Sequence, residues 1–257
     1  MNSSKNLLEY TSLIEEILPI YIELYFSKSR KAANFWDRLK SSSQCYVYGG
    51  FIVDFLRRKK SHRDIDIVID SFNKPIINLI KKHSGLKNSF GGYKLNIDGV
   101  IVDIWAISDT WAIKKMNSLN FDLFATLPST SFFNSTAIVY SVNEKRLIYN
   151  KRFLNYINNK NLEILFEENP YPELCIIKSY QNYNEGIKLS TQLKKYIIRK
   201  FRIASNNFDS IQLSHFGEVR YTSDELIDFY KQNLLDLSEG KATPEDYIPA
   251  TQLSFFG

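Results

Sequence analysis

Cysteine is nearly missing from this chain of 257 residues: Cys45 and Cys175 are the only two, which excludes a disulfide framework. Histidine is as thin. His62, His83 and His215 stand singly, so no group of them has the spacing of a structural zinc site. Seven prolines and ten glycines leave little room for long flexible linkers. No apolar run is long enough to cross a membrane. The stretch over residues 1–26 is interrupted by Glu15, Glu16 and Glu23, so it is expected to be an amphipathic helix rather than a signal peptide or a span. A reducing cytoplasm is the expected setting. Charge is not extreme either: 33 Lys and Arg against 28 Asp and Glu give a net +5, compatible with an anionic partner but well below the density of a nucleic-acid-coating protein.

What the chain does have is apolar and aromatic content. Its 44% hydrophobic residues, with 18 Phe and 16 Tyr, are enough for a well-filled core. Apolar spacing predicts a helix over 7–26, with a kink or break at Pro19, and a second over 31–40. A strand over 44–48 meets Gly49-Gly50, a helix runs over 51–59, and a basic loop leads into a strand over 64–69. Another helix covers 73–82. Two strands, 89–97 and 100–107, flank Asp98-Gly99, a strong hairpin signal. Ser108 is expected to cap a following helix. Strands over 136–141 and 146–149 complete a mixed α+β region. Past residue 160 the pattern turns helical, apart from a strand over 162–166, and the tail from Lys241 is expected to lie extended. The division is therefore residues 1–150 as a sheet domain with N-terminal helices and 151–257 as a small helical domain.

The chemistry concentrates between Tyr46 and Asp70. Asp64 and Asp66 are separated by one residue on a strand, so they project from one face about 6 to 7 Å apart at the backbone. Ile65, Ile67 and Ile69 then point into the core. Asp103, on a neighbouring strand between Val102 and Ile104, adds a third carboxylate whose burial would be costly without solvent or a cation. Carboxylates without thiolates or imidazoles select hard cations, Mg²⁺ or Mn²⁺, and three on one face can hold two of them about 3.5 to 4 Å apart. Gly49-Gly50, between a strand and a helix, offers backbone amides to a triphosphate. Arg63, at the end of the basic run from Arg57, is placed to meet phosphates. Lys188, Lys194, Lys195, Arg199, Lys200 and Arg202 recur along one helical stretch that could track an RNA backbone. Trp105, Tyr93 and Trp111 are candidates for stacking on a base, with core packing as the ordinary alternative.

The pattern GG-x(13)-D-x-D followed by a later strand aspartate resembles the polymerase β-type nucleotidyltransferase superfamily. GGFIVDFLRRKKSHRDIDIVI is similar to the head domain of the poly(A) polymerase and CCA-adding families, in which the glycine pair precedes an alanine-valine-arginine-aspartate stretch. Asp54 matches that aspartate, which implies a nucleotide-binding role, while Val53 replaces the arginine. The resemblance implies a nucleotidyltransferase-type mixed sheet flanked by helices, and transfer of a nucleoside monophosphate from an NTP such as ATP to an acceptor hydroxyl with release of pyrophosphate. It also implies Asp64, Asp66 and Asp103 as catalytic metal ligands, Gly49, Gly50, Asp54 and Arg63 as nucleotide-binding residues, and an RNA or tRNA 3′ end as acceptor. Two stretches depart from the pattern. At SFFNSTAIVY and the residue before it, Thr130, Ser131 and Phe132 stand where CCA-adding enzymes carry charged residues. In EENPYPELCIIKSYQNYNEGIKLS, Glu173 and Lys178 stand where the base-selecting aspartate and arginine are expected, so CCA addition itself is not expected. A small-molecule or protein acceptor, as in antibiotic-modifying or toxin-like members, and a non-catalytic nucleotide- or RNA-binding relative are the alternatives. Oligomeric state is not legible.

Overall fold

The computed structural model describes residues 3–59, 62–88, 91–115 and 123–239. The expected tail from Lys241 and the start of the 89–97 strand lie outside them. Two compact units, Met1–Asn158 and Asn159–Gly257, divide the chain.

The first unit begins with α1 (Ser3–Phe26) and α2 (Arg30–Ser42). Ile14, Leu18, Ile22, Tyr25 and Phe26 recur at helical spacing and are buried. Pro19 does not break α1, which runs through it to Phe26. Proline costs the helix one hydrogen bond, and the buried Leu18 and Ile22 on either side keep the next turn anchored. Ser29 starts α2 by accepting from the amides of Lys31 and Ala32, and Trp36 stacks on Phe26 at 4.8 Å. There follow β1 (Cys45–Tyr48), α3 (Gly50–Leu56), β2 (Ile65–Ile69) and α4 (Lys74–Lys82), the last capped by the Asn73 side chain with proline in its first turn.

Next come β3 (Leu86–Lys87), β4 (Tyr93–Ile97), β5 (Val100–Ala106), α5 (Trp111–Lys115) and α6 (Leu123–Thr126). Asp98 (φ 50°) and Gly99 (φ 89°) close the expected hairpin with positive φ at both turn residues. Ser108 does not cap the next helix. It lies inside a 3₁₀ turn, Ile107–Asp109, and α5 begins only at Trp111. The unit ends with β6 (Ile138–Ser141), β7 (Arg146–Tyr149) and α7 (Lys151–Asn159). Among the described residues the strands form one seven-stranded mixed sheet, ordered β3-β4-β5-β2-β1-β6-β7, in which β2 and β5 are the parallel pair. This is the α+β architecture the sequence predicts.

The second unit holds β8 (Asn161–Leu162), α8 (Pro172–Asn184), β9 (Lys188–Leu189), α9 (Thr191–Ala204), α10 (Phe208–Phe216) and α11 (Ser223–Ser238). The strand expected over 162–166 is only the two-residue β8, paired in parallel with the equally short β9. A pair of that length has no alternating pattern to read. Leu174, Ile177, Leu193, Tyr196, Ile197, Leu226 and Phe229 build the core, and Thr222 with Glu225 forms a reciprocal cap on α11. No described helix is long and apolar enough to cross a membrane.

Candidate functional site

Strand pairing puts Tyr48 opposite Asp66, Asp66 beside Asp103, and Asp103 opposite Lys94. Register partners share a face, and neighbouring strands lie about 4.8 Å apart, so Asp66 and Asp103 stand side by side. Asp64 precedes Asp66 by two residues, at the mouth of β2. The opposite face carries Val47, Ile67 and Ile104, all fully buried. This alternation pins the carboxylates: a one-residue slip would drive them into the core.

Each outer carboxylate has a cation beside it. Arg63 reaches Asp64 Oδ2 through Nε at 2.9 Å and Nη2 at 2.8 Å, and Lys94 Nζ lies 3.4 Å from Asp103 Oδ2. Burial raises the Asp103 carboxyl above its usual range, and the charge of Asp64 adds to this against the pull of Lys94 and Arg63. Burial works against the Arg63 charge, yet its bond to Asp64 and the fields of Asp64, Asp66 and Asp103 outweigh that and hold it above its usual range. Tyr25 of α1 feels the same carboxylates. Burial first, then Asp64 and Asp66, push its phenol up to about 12, against its bond to the Ile101 carbonyl at 3.0 Å.

A carboxylate-only donor set suits Mg²⁺ or Mn²⁺. Among the described residues no three His, Cys, Asp or Glu side chains are gathered as a finished metal cage. Asp64 is turned to Arg63, and Asp103 stands beside Lys94. Donor type and register are those a hard cation asks for, and the fields of all three aspartates already favour the positive charge of Arg63.

The glycine pair splits into two roles. Gly49 has φ +36°, and a Cβ there would stand 2.7 Å from the Thr136 carbonyl oxygen, so the fold itself requires glycine. Its amide donates to the Ile138 carbonyl at 2.9 Å, and its carbonyl accepts from Val53 at 3.0 Å. A Cβ on Gly50 would meet nothing within 4 Å, so no protein neighbour demands glycine there. Beside them the segment 127–136 is tied down by hydroxyls. Tyr48 Oη lies 2.8 Å from Ser131 Oγ and 3.1 Å from Thr130 Oγ1, and Ser131 donates to the Thr136 carbonyl at 2.9 Å.

The remaining candidates sort as follows. Asp54 on α3 is engaged by the basic loop: Lys59 Nζ is 2.8 Å from Oδ1, while His62 Nδ1 is 3.7 Å from Oδ2, too far for a hydrogen bond. His62 packs among Tyr21, Tyr25 and Phe51 and bonds the Tyr21 hydroxyl. Arg57 bonds the Tyr156 hydroxyl. The basic run is thus built into the protein more than a solvated stretch would be. On α9, Lys194 pairs with Asp236 at 2.6 Å and Arg199 with Glu167, so two of the six expected RNA-tracking cations, five of them on this helix, are spent. Trp105 shares the Asp103 face but packs with Tyr46, Val68 and Leu127, and its indole donates to Thr110 at 3.0 Å. Tyr93 pairs with Ile104 and therefore lies on the other face, against Phe72. Trp111 opens α5. Burial pushes both cysteine thiols up to about 12, which removes them as nucleophiles.

Sequence reasoning missed Lys94, Tyr25 and Tyr48. For Lys94 a signal existed: a two-residue turn at Asp98-Gly99 dictates that residue 94 faces residue 103. Tyr48 is the residue before the glycines, so β1 pairing would have revealed it. Tyr25 comes from a helix remote in sequence, and nothing local marks it.

No protein-family model matches the chain, and no curated protein matches it by sequence. Solved structures do. A CCA-adding enzyme in complex with ATP superposes at a TM-score of 0.57 with 16% identity, covering 95% of this chain and 58% of that one. The apo form I of a CCA-adding enzyme gives 0.57 and 16%, covering 91% and 57%. A tRNA nucleotidyltransferase complexed with a primer tRNA and an incoming ATP analog gives 0.54 and 17%, covering 79% and 60%. The chain spans a little over half the length of these structures, and over that span it has the fold of the CCA-adding enzymes and tRNA nucleotidyltransferases.

Proposed function

We propose that the protein is a metal-dependent nucleotidyltransferase that moves a nucleoside monophosphate from an NTP to the 3′ hydroxyl of an RNA, tRNA being the first acceptor to test, and releases pyrophosphate. The observation that carries this is the register of Asp66 beside Asp103, with Asp64 two residues away, next to the Gly49-Gly50 turn. Asp64, Asp66 and Asp103 would hold Mg²⁺ or Mn²⁺, whose chemistry is to activate the acceptor oxygen and draw charge off the leaving phosphates. Asp103 would complete the site of the cation that activates the acceptor and is placed to take the acceptor proton. Gly50 leaves backbone open to the triphosphate, Arg63 exchanges Asp64 for a phosphate oxygen, and Asp54 holds the basic loop in place. The solved neighbours bound to ATP, or to a primer tRNA and an ATP analog, support the choice of substrates.

A second reading has its own support. Arg63 and Lys94 stand against two of the three carboxylates, which is how a relative that binds nucleotide or RNA without turnover would neutralise the old metal face. One experiment separates the two. Each labelled NTP is incubated with the protein, Mg²⁺ or Mn²⁺ and total RNA, and label is followed into RNA, protein and small molecules. Transfer to RNA that vanishes in Asp64→Ala and Asp66→Ala supports the first reading. Transfer that survives both sinks the metal assignment, and NTP binding without transfer favours the second.

A further inference from the structure

Away from the carboxylates, α2, the end of α4 and the β4–β5 turn surround a cleft of about 490 Å³. Its floor is apolar, with Phe35 and Leu79 buried, and Lys31, Arg38, Lys82 and His83 form its rim. Lys31 and Arg38 lie two turns apart on α2, about 10 Å along the axis. Lys82 and His83 face them from the last turn of α4. Lys31 is 3.2 Å from Asp98 Oδ1, but Arg38 and Lys82 have no carboxylate partner among the described residues. The His83 ring stands edge-on to Phe35 at 5.5 Å. Burial, then Lys82 and Lys31, with Arg38 adding, push its imidazole below the usual range, opposed only by Asp98. The cleft is therefore a region of positive field with two exposed, unspent cations.

We propose that this cleft is a contact site for the phosphodiester backbone of an RNA strand. An enclosed mononucleotide pocket would bury most of its ligand, whereas here the cations sit exposed on the rim of an open trough with an apolar floor. Exposed Lys and Arg at helical spacing meet phosphates without reading sequence. The choice of RNA over other polyanions rests on the proposed function, and the charge arrangement does not.

Binding of a labelled tRNA is measured by fluorescence anisotropy between about 50 and 200 mM salt. The proteins are the wild type, Arg38→Gln, Lys82→Gln, the double variant, and Lys231→Gln as an exposed charge-loss control on α11. Thermal unfolding verifies that each is folded. Each cleft substitution is expected to weaken binding roughly fivefold at low salt and to lower the slope of log affinity on log salt by about 0.7. The double variant adds both effects and Lys231→Gln shows neither. Unchanged affinity and slope in the cleft variants overturn the proposal, as does an equal loss in Lys231→Gln. Weakened binding of free ATP with RNA binding intact overturns it in favour of a mononucleotide cleft. ATP binding by wild type and Asp66→Asn is read in parallel: if wild type binds no ATP while the cleft variants lose RNA, the nucleotidyltransferase reading falls and the cleft stands.

Discussion

Val47, Ile67 and Ile104 form one rung across three adjacent strands, and Tyr48, Asp66 and Asp103 form the rung one residue away. The first is wholly buried, whereas the second is partly exposed and charged. A pleated strand lets the two differ completely because successive side chains never meet. Packing is thus carried by one set of residues and the proposed chemistry by the other, although no more than a peptide unit separates them.

The sharpest way to break that contrast is to exchange the consequences. Asp66→Asn is expected to cut nucleotidyl transfer about a thousandfold, roughly 4 kcal/mol of transition-state stabilisation, while its denaturant midpoint stays near wild type. Ile67→Ala should do the reverse, losing about 2 to 5 kcal/mol in urea unfolding with activity per folded molecule kept. An Asp66→Asn protein that unfolds, or that still transfers label, would dissolve the division.

The glycine pair offers the same contrast within two residues. Gly49→Ala meets the Thr136 carbonyl and an unfavourable φ, so circular dichroism should report a destabilised or misfolded protein. Gly50→Ala should fold at least as well, by up to about 1 kcal/mol, because it rigidifies a helix start. ATP affinity should nevertheless fall about tenfold if phosphates approach that backbone. Normal ATP binding in Gly50→Ala would remove the turn from the nucleotide site.

A smaller effect tests the cation on the charged rung. Arg63→Gln should tighten Mn²⁺ binding in the absence of nucleotide, read by electron paramagnetic resonance, by about threefold, and weaken ATP binding to a similar degree. Movement of both affinities in one direction would contradict an arginine that changes partner.

The least effect concerns pH, at the cleft far from either rung. His83 has a folded pKa below its ordinary 6.5, chiefly from burial. The unfolded chain therefore takes up a proton first, and stability falls as pH drops below about 6.5. Thermal midpoints between pH 8 and 5 should show a shallower decline in His83→Gln than in wild type, and parallel curves would discharge the histidine from that role.

Much of this arrangement was legible because it is periodic. The Asp64-Asp66 spacing, the isoleucines that alternate with them and the Asp98-Gly99 turn each follow from a two-residue repeat or a turn that only certain residues permit. A break at Pro19 did not follow, because a rule about one hydrogen bond was outweighed by buried neighbours on both sides. Ser108 misled because a 3₁₀ turn delayed the helix. The contacts of Tyr25, and the engagement of Arg57, Lys194 and Arg199 by distant partners, come from chain crossings that no local pattern encodes.

The hydroxyls over β1 carry a consequence for how this chain can change. Thr130 and Ser131 are both bound to Tyr48, and Ser131 also holds Thr136, whose carbonyl a Cβ at position 49 would meet. Losing the Thr130 hydroxyl leaves Tyr48 its bond to Ser131, whereas losing the Ser131 hydroxyl also releases the Thr136 carbonyl behind Gly49. The two positions are therefore unequal: an exchange at 131 reaches the glycine turn, whereas an exchange at 130 stops at the tyrosine.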